Sequence, residues 1–302
     1  MPTIGDIRIG ISGWNYPPWR GVFYPTKLAH KKELAYAASQ FRSIEINGTF
    51  YSLQRPEYFA EWDRATPEDF AFAVKGSRYI THMLRLLEVR PALANFFASG
   101  VLRLGRKMGP VLWQFPPNFK FEAARLDSFF KLLPRDAESA VRLARRHDKR
   151  VSGRAWMRTD VNRRIRHGIE IRHQSFVTPE FIELLREHDV AVVCADTVEW
   201  PRLMDLTSDF VYCRLHGSEE LYASGYDGGA LDQWAARVAA WARGEEPADA
   251  ERVIHANGPD LPKRDVYVYF DNDMKVRAPF DAKGLIERVE RLLRGTSAKI
   301  AL

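Results

Sequence analysis

The sequence predicts an α/β protein that folds as a single (β/α)₈ TIM barrel spanning residues 1–302. Eight short apolar segments of strand length recur along the chain, and segments with apolar residues at helical spacing separate them. This alternation indicates parallel strands joined by right-handed crossovers, so the sheet is either a closed barrel or an open doubly wound sheet. A length of 302 residues is ordinary for one α/β barrel.

The predicted strands are short apolar runs. They are Ile7–Ser12, Ser43–Asn47, Phe70–Lys75, Val111–Phe115, Gly168–Arg172, Val190–Asp196, Phe210–His216 and Val266–Asp271. The predicted helices repeat apolar residues every three or four positions, and three of them begin at a proline, which a first helical turn tolerates. They are Lys32–Phe41, Pro56–Ala65, Pro91–Leu104, Ala123–Leu133, Pro179–His188, Leu231–Arg243 and Ala282–Leu293.

Two stretches interrupt this alternation. Residues 135–167 form a basic insertion between strands 4 and 5, in which the pattern predicts a helix at Ser139–Arg146. Residues 244–264 contain three prolines and indicate a surface excursion before the last strand. Neither stretch has the composition of a domain boundary.

Positive charge is concentrated in the insertion. The chain has a formal net charge of +6. Residues 142–167 contain ten Arg or Lys and two Asp, which is a local charge of +8, so the other residues carry a net charge of about −2. With Trp156 among its arginines, the segment 142–167 could bind a nucleic acid backbone. A solvated helix and loop is the other interpretation. Because the insertion follows strand 4, we expect it at the rim of the C-terminal face.

The sequence shows no membrane or secretion signal. No apolar run approaches the length of a spanning helix, and the N-terminus lacks the pattern of a signal peptide, so we expect a cytoplasmic protein without membrane partners. Cys194 and Cys213 match no zinc or CxxC spacing, which predicts buried, reduced thiols. Glycine-rich phosphate loops are absent, and we expect no nucleotide cofactor and no obligatory metal.

Alternation along each strand predicts which side chains enter the barrel. Polar residues take the inward positions near the C-terminal end of every strand, where barrel enzymes carry their active sites. These residues are Ser12, Glu45, Asn47, Lys75, Gln114, Glu170, Arg172, Asp196, Arg214, His216 and Asp271. Because unpaired buried polar groups are costly, we expect one pocket or one paired network, and a purely structural ion-pair lattice is the alternative.

The residue types suggest roles within this pocket. Glu45 and Glu170 are candidates for general acid and base, and His216 for proton transfer, because its unperturbed pKa lies near working pH. Lys75, Arg172 and Arg214 suit an anionic or phosphorylated substrate.

Two further sets of residues extend the candidate site. Aromatic residues crowd the segment from Ser12 to Pro25, and Trp14, together with Tyr51, could stack on a sugar or base. A divalent metal could be held by oxygen and nitrogen ligands, although no short metal-binding motif supports it. The candidate ligands are Glu170, His173, Asp196, His216 and Asp271.

The same segments resemble the YecE family, known as domain of unknown function 72. The matching pieces, in chain order, are Ser12-Gly13-Trp14, Trp19-Arg20-Gly21, Phe23-Tyr24-Pro25, Glu45-Ile46-Asn47, Thr49-Phe50-Tyr51, Val74-Lys75, Thr81-His82, Gln114-Phe115-Pro116-Pro117, Glu170-Ile171-Arg172-His173, Arg214-Leu215-His216-Gly217 and Tyr269-Phe270-Asp271-Asn272. The resemblance implies a (β/α)₈ barrel with a pocket at its C-terminal face, but no established activity. His173 and Asn272, which lie in these motifs, join the candidate substrate-binding residues. Asp271 stands where family members often carry Asn.

These observations favour an enzyme that acts on a small anionic or phosphorylated substrate, possibly containing a sugar, by metal-independent acid–base chemistry. Hydrolysis is the first reaction class to test. A metal-dependent isomerase or phosphodiesterase is one alternative, by analogy with other barrels. A nucleic-acid-binding protein without catalysis, which uses the insertion and the aromatic loop, is the other.

Overall fold

Eight parallel strands close into a barrel in the order of the chain. The structure is a computed structural model that describes residues 4–217, 219–256 and 258–299. The strands are β1 (Ile7–Ser12), β2 (Ser43–Ile46), β3 (Ala71–Lys75), β4 (Met108–Gln114), β5 (His167–Glu170), β6 (Ala191–Asp196), β7 (Phe210–Leu215) and β8 (Asp265–Phe270). The predicted closed barrel is confirmed, and the open doubly wound alternative is wrong.

Helices follow the strands and cover the outside of the barrel. They are α1 (Glu33–Gln40), α2 (Gly48–Tyr51), α3 (Pro56–Arg64), α4 (Arg90–Ala98), α5 (Ala123–Leu132), α6 (Ala137–Ala144), α7 (Pro179–Glu187), α8 (Gly228–Ala242) and α9 (Ala278–Lys299). The single helix expected over Pro91–Leu104 is wrong, because Gly100 adopts a φ of 117° and ends α4. A 3₁₀ segment, Val101–Lys107, continues to β4.

The inside of the barrel is apolar and aromatic below its C-terminal end. Tyr212 of β7 and Tyr269 of β8 fill the centre, with ring centroids 5.3 Å apart. The Tyr269 hydroxyl lies 2.6 Å from Ser43 Oγ, which in turn donates to a main-chain carbonyl. Tyr212 and Tyr269 therefore form an aromatic floor that closes the barrel interior, and the polar side chains from the strand ends lie above this floor.

Strand residues of the opposite parity pack against the helices. Trp113 of β4 is fully buried there, and its indole N–H donates to His167 Nδ1 at 3.1 Å. His167 Nε2 lies 2.8 Å from the carbonyl oxygen of Pro134, so Nε2 carries the proton and Nδ1 accepts. Burial lowers the pKa of His167 to about 3, which keeps the imidazole neutral.

The basic insertion takes a different route from the expected one. It follows α5, not the C-terminal end of β4 directly, and α6 packs against α4 outside the barrel. Its middle reaches the strand-end side, where Arg150 lies over the Tyr79 ring and Arg154 donates to the carbonyl of Gln54. The segment then returns to the start of β5, where Arg166 pairs with Asp209 and Asp265. Several of its arginines are therefore neutralised by the protein.

The other elements agree with their sequence patterns. The excursion before β8 is irregular where it is described, and Asp205 accepts hydrogen bonds from the main-chain N–H groups of Val253 and Ile254. Cys194 and Cys213 are buried free thiols, as expected. No helix in the described ranges is both long and apolar enough to cross a membrane.

His167 makes a specific contribution to acid sensitivity. Its pKa is lower in the folded chain than the usual 6.5, so the unfolded chain binds an extra proton as pH falls. Between pH 7 and pH 4.5, the free energy of unfolding should fall by about 2–3 kcal/mol more in the wild type than in His167→Leu. Urea denaturation at both pH values measures this difference, and parallel losses would contradict the assignment.

Candidate active site

A fully buried arginine organises the C-terminal end of the barrel. Arg214 of β7 donates to both oxygens of Glu45, with Nη2–Oε1 at 2.9 Å and Nε–Oε2 at 3.1 Å. Its Nη1 donates to Glu170 Oε2 at 2.6 Å, and its Nη2 donates to Asp271 Oδ2 at 2.6 Å. One guanidinium therefore binds carboxylates from three sides of the barrel.

Glu45 is saturated with hydrogen bonds. Ser12 Oγ donates to Oε1 at 2.5 Å, and the Tyr212 hydroxyl donates to Oε2 at 2.5 Å, in addition to the contacts from Arg214. Asn47 Nδ2 donates to Ser12 Oγ at 2.8 Å and so holds the serine in place. Both carboxylate oxygens of Glu45 are therefore held by donors of the protein itself.

A second arginine neutralises Glu170 from the opposite side. Arg172 Nε donates to Glu170 Oε1 at 2.9 Å, and the guanidinium lies 4.1 Å from the centre of the Trp200 ring. Burial acts to raise the pKa of Glu170, but the Arg214 and Arg172 charges outweigh it and hold this pKa well below its usual range. Burial also acts to raise the pKa of Asp271, and the Arg214 charge outweighs it and holds this pKa well below its usual range. Glu170 is therefore a fixed negative charge.

His216 is a buried imidazole without a well-aligned hydrogen bond. Its Nδ1 lies 3.2 Å from Asp271 Oδ2 but is not aligned for a hydrogen bond, and its Nε2 lies 3.9 Å from Glu170 Oε2, which is beyond hydrogen-bond distance. The ring packs edge-on against Trp200 and Tyr222. Burial lowers the pKa of His216, so the imidazole is neutral at pH 7.

Lys75 differs from every other charge in this cluster. It ends β3 with only 7% of the residue exposed, and its Nζ lies 4.6 Å from the centre of the Phe50 ring. Within the described residues, Nζ makes no hydrogen bond or ion pair with the protein. Burial, followed by the charge of Arg214, lowers the pKa of Lys75 to about 8. A minor fraction of this amine, about a tenth at pH 7, is therefore unprotonated.

Positive charge surrounds the approach to Lys75. Burial, followed by the charges of Arg172 and Lys75, lowers the pKa of His82 to about 4. The exposed Arg78 acts on His82 in the same direction, and its guanidinium lies over the Tyr51 ring at 5.6 Å. Tyr51 is 66% exposed and stands at this rim. The rim therefore carries positive charge next to Lys75.

The structure brings together most of the predicted inward side chains. Eight of them form the contiguous network around Arg214, and Lys75 lies within its electrostatic reach. The eight are Ser12, Glu45, Asn47, Glu170, Arg172, Arg214, His216 and Asp271. Gln114 is buried on β4 beside Glu170 of β5, and its side-chain amide has no partner among the described residues.

Asp196 does not join this network. The side chains of Ala191 and Val193 in β6 point into the barrel. Asp196 is an even number of residues from Cys194, which faces the helices, so Asp196 faces the helices as well. Its carboxylate accepts from Arg202 at 2.5 Å and from the Trp234 indole of α8 at 3.3 Å. The prediction that Asp196 points into the barrel is wrong. The five residues of β6 before Asp196 are all apolar, so the sequence does not indicate which alternate side chains face the helices.

Three other candidates are used in packing or local turns. Trp14 packs against Trp62 and Phe72 on the helix side of the strands. The His173 ring contacts Ser175 and caps the following 3₁₀ turn. Asn272 donates to Asp281 of α9 and to a main-chain carbonyl. Their expected contact with substrate finds no support in this geometry.

The metal ligand set is likewise not assembled. His173 and Asp196 point away from the network, and the other three candidates already bind Arg214 or lie beside it. In the part of the chain that the structure describes, no three His, Cys, Asp or Glu side chains are grouped so that they could hold a metal ion.

Several residues of the site were not identified as candidates from the sequence. Tyr212 supports Glu45 from inside the barrel, and Trp200 and Tyr222 reach the network from loops. Tyr212 has the inward parity of Arg214, which was an available signal. Loop aromatics carry no such periodicity, so their position depends on tertiary structure.

Comparison with known proteins identifies the family. A family profile described as "Protein of unknown function DUF72" matches residues 8–300. The chain belongs to the DUF72 family. This confirms the resemblance seen in the sequence motifs, and it assigns no activity.

Curated relatives of the chain are also without a stated activity. The UPF0759 protein YunF of Bacillus subtilis is 31% identical over 118 residues, which cover 37% of this chain and 41% of that protein. The UPF0759 protein YecE of Escherichia coli K12 is 26% identical over 123 residues, covering 36% of this chain and 43% of that protein. These alignments span less than half of each relative.

Solved structures of DUF72 proteins share the fold. One from Thermotoga maritima has a TM-score of 0.70 and 24% identity, with 94% of this chain and 99% of that chain covered. Another, from Enterococcus faecalis, has a TM-score of 0.66 and 17% identity, with 94% and 95% covered. These similarities support the barrel architecture for this DUF72 protein.

Removing the central arginine should destabilise the barrel in a pH-dependent way. Arg214→Met leaves buried carboxylates without their counter-charge, and we expect a loss of about 3–5 kcal/mol at pH 8. As the pH falls to 5, these carboxylates can take up protons in the variant, so the gap to wild type should narrow.

Denaturant titrations at pH 8 and pH 5 measure this gap. Arg237→Met is a matched control, because Arg237 is also largely buried but pairs with the half-exposed Asp249. Its loss should be smaller and nearly equal at the two pH values. A constant gap for Arg214→Met would show that the carboxylates do not depend on this guanidinium.

Proposed function

We propose that this DUF72 protein is an enzyme that binds a small anionic substrate above the Arg214 network and acts on it by acid–base chemistry. The observation that carries the proposal is the ammonium of Lys75, which belongs to a residue only 7% exposed and makes no hydrogen bond or ion pair with the described residues. A buried charge without an acceptor is costly, and proteins keep such a group where a ligand completes its contacts. An anion is the ligand that would do so.

The charges around Lys75 support this choice of substrate. Glu45, Glu170 and Asp271 are already engaged by arginines, so they form a fixed floor and do not compete for Nζ. Arg78 and Arg172 lie near enough to His82 and Lys75 to add positive potential there, which favours an anion.

The geometry also supports a division of labour within the site. Lys75, whose pKa is lowered by burial and the Arg214 charge to about 8, is suited to exchange a proton near neutral pH, and the neutral imidazole of His216 lies in the same network. The oxygens of Glu45 and Glu170 already accept hydrogen bonds from arginine and hydroxyl groups, so these carboxylates are less available to a substrate. Hydrolysis by a paired carboxylic acid and carboxylate is therefore less well supported than proton transfer by nitrogen bases.

A groove on the insertion side favours a second candidate function, the binding of single-stranded nucleic acid. The groove has a volume of about 710 Å³ and includes Trp156 and several arginines in its lining. The Trp156 ring lies 4.2 Å from the guanidinium carbon of Arg103 and 5.8 Å from that of Arg158. Arginines beside an aromatic ring suit phosphate and base contacts. This candidate uses a surface distinct from the Arg214 network.

Substitution of Lys75 separates function from stability. In Lys75→Met the buried ammonium is removed while the apolar stem is kept, so we expect the protein to gain about 1–3 kcal/mol of stability at pH 7 and to lose binding of inorganic phosphate. Denaturant titration and calorimetric titration with phosphate measure the two effects.

Lys107 offers a matched control for this substitution. It is 6% exposed, but its Nζ donates to the Thr66 carbonyl at 2.9 Å and pairs with Asp63. Lys107→Met should therefore lose about 1–3 kcal/mol and keep phosphate binding. If both variants lose stability equally and neither affects phosphate binding, Lys75 is a structural residue and the proposal fails.

The groove can be tested by the salt dependence of RNA binding. Arg106→Gln/Arg158→Gln should weaken binding of a single-stranded RNA oligonucleotide and reduce the log–log salt slope by about 0.7 for each lost phosphate contact. Fluorescence anisotropy at several salt concentrations measures the slope. Arg142→Gln, whose side chain pairs with Glu138 away from the groove lining, should change neither value.

A further inference from the structure

We propose that Lys75 is a nucleophile whose amine condenses with the carbonyl group of a small anionic aldehyde or ketone to form an imine. The inference rests on the proposed function, because it requires the barrel mouth to be a substrate site. It goes further by naming the substrate class, a carbonyl compound that bears a carboxylate or phosphate.

The surroundings of Lys75 suit a nucleophile better than a lysine that only binds an anion through its positive charge. A lysine that serves only as a cation is normally surrounded by acceptors, as Lys107 is by main-chain oxygens and Asp63. Lys75 Nζ instead lies over the Phe50 ring, with no hydrogen-bond acceptor of the protein among the described residues. The amine is thus held in place by packing while its lone pair is not committed to a protein contact.

Other cations are placed to recognise the anion. Arg78 and Arg172 lie close enough to His82 to act on its titration together with Lys75. Arginine binds carboxylate and phosphate groups with several N–H donors, so these side chains can hold the charged end of the substrate. The carbonyl end is then left for Lys75, whose slight exposure admits only a small group.

The network also accommodates the charge of the product. In the balanced reaction, the ammonium of Lys75 and a carbonyl compound give a protonated imine and one water. The C–N bond forms as the amine attacks, and the carbonyl oxygen leaves as water after it takes up the two protons lost from nitrogen. The net charge at Nζ stays +1, and the negative charges of Glu45, Asp271 and Glu170 already favour a cation there.

Nucleophilic attack requires the neutral amine. Burial and the Arg214 charge lower the pKa of Lys75 to about 8, so the neutral form is accessible near pH 7.5. Desolvation in an apolar pocket and a neighbouring cation are the two means by which proteins activate lysine nucleophiles. This agrees with the geometry, which by itself leaves the amine unpaired and oriented by Phe50.

Reductive trapping tests the inference directly. The wild-type protein is incubated at pH 7.5 with pyruvate or with dihydroxyacetone phosphate, in the presence of cyanoborohydride, and the modified lysines are identified by peptide mass spectrometry. We expect Lys75 to be modified roughly tenfold or more faster than the exposed Lys31, because the neutral amine of Lys75 is accessible at this pH and faces bound substrate. The two probes distinguish a carboxylate from a phosphate as the anionic group.

Matched controls separate this inference from the proposed function. Acetone, which lacks the anion, should label Lys75 several-fold more slowly than pyruvate, and Lys75→Arg should retain a cation but lose the fast adduct. If neither probe labels Lys75 faster than Lys31 although phosphate binding depends on Lys75, the imine is refuted and the anion site stands. If phosphate binding is also independent of Lys75, both proposals fail.

Discussion

The buried guanidinium of Arg214 is the interaction on which the open end of the barrel depends. Glu45, Glu170 and Asp271 come from separate strands, and they would repel one another in a space of low dielectric without a shared cation. Arginine can serve all three because its donors project in a fixed planar fork. The aromatic floor formed by Tyr212 and Tyr269 supports this cluster from below.

The completeness of this network explains why Lys75 stands apart from it. Each nearby carboxylate that could have paired with the ammonium is already bound by arginine, serine or tyrosine donors. The lysine therefore lies beside a negative floor without a hydrogen bond to it. A site of this kind combines a rigid electrostatic background with one reactive group, and proteins accept the cost to stability of such an arrangement where it serves function.

Much of the fold and part of the site could be predicted from the sequence. Strict alternation in β2, β5 and β7 placed Glu45, Glu170 and Arg214 inside the barrel, because the side chains between them are apolar and need the helix layer. The same reasoning failed for Asp196, since β6 is apolar on both faces. Asn272, a candidate because it lies in a motif that resembles the family, instead donates a hydrogen bond to Asp281 of α9.

The sequence by itself determined the barrel and the set of inward charges, because hydrophobic periodicity and strand parity are local properties of the chain. It could not determine which charges pair, since pairing depends on distances between strands far apart in sequence. Only the tertiary structure decided that Arg214 donates hydrogen bonds to Glu45, Glu170 and Asp271. It also left the amine of Lys75 without a hydrogen-bond acceptor among the described residues. The physical reason is that pairing and desolvation act through space, where one guanidinium can satisfy three carboxylates and leave a neighbouring amine unpaired.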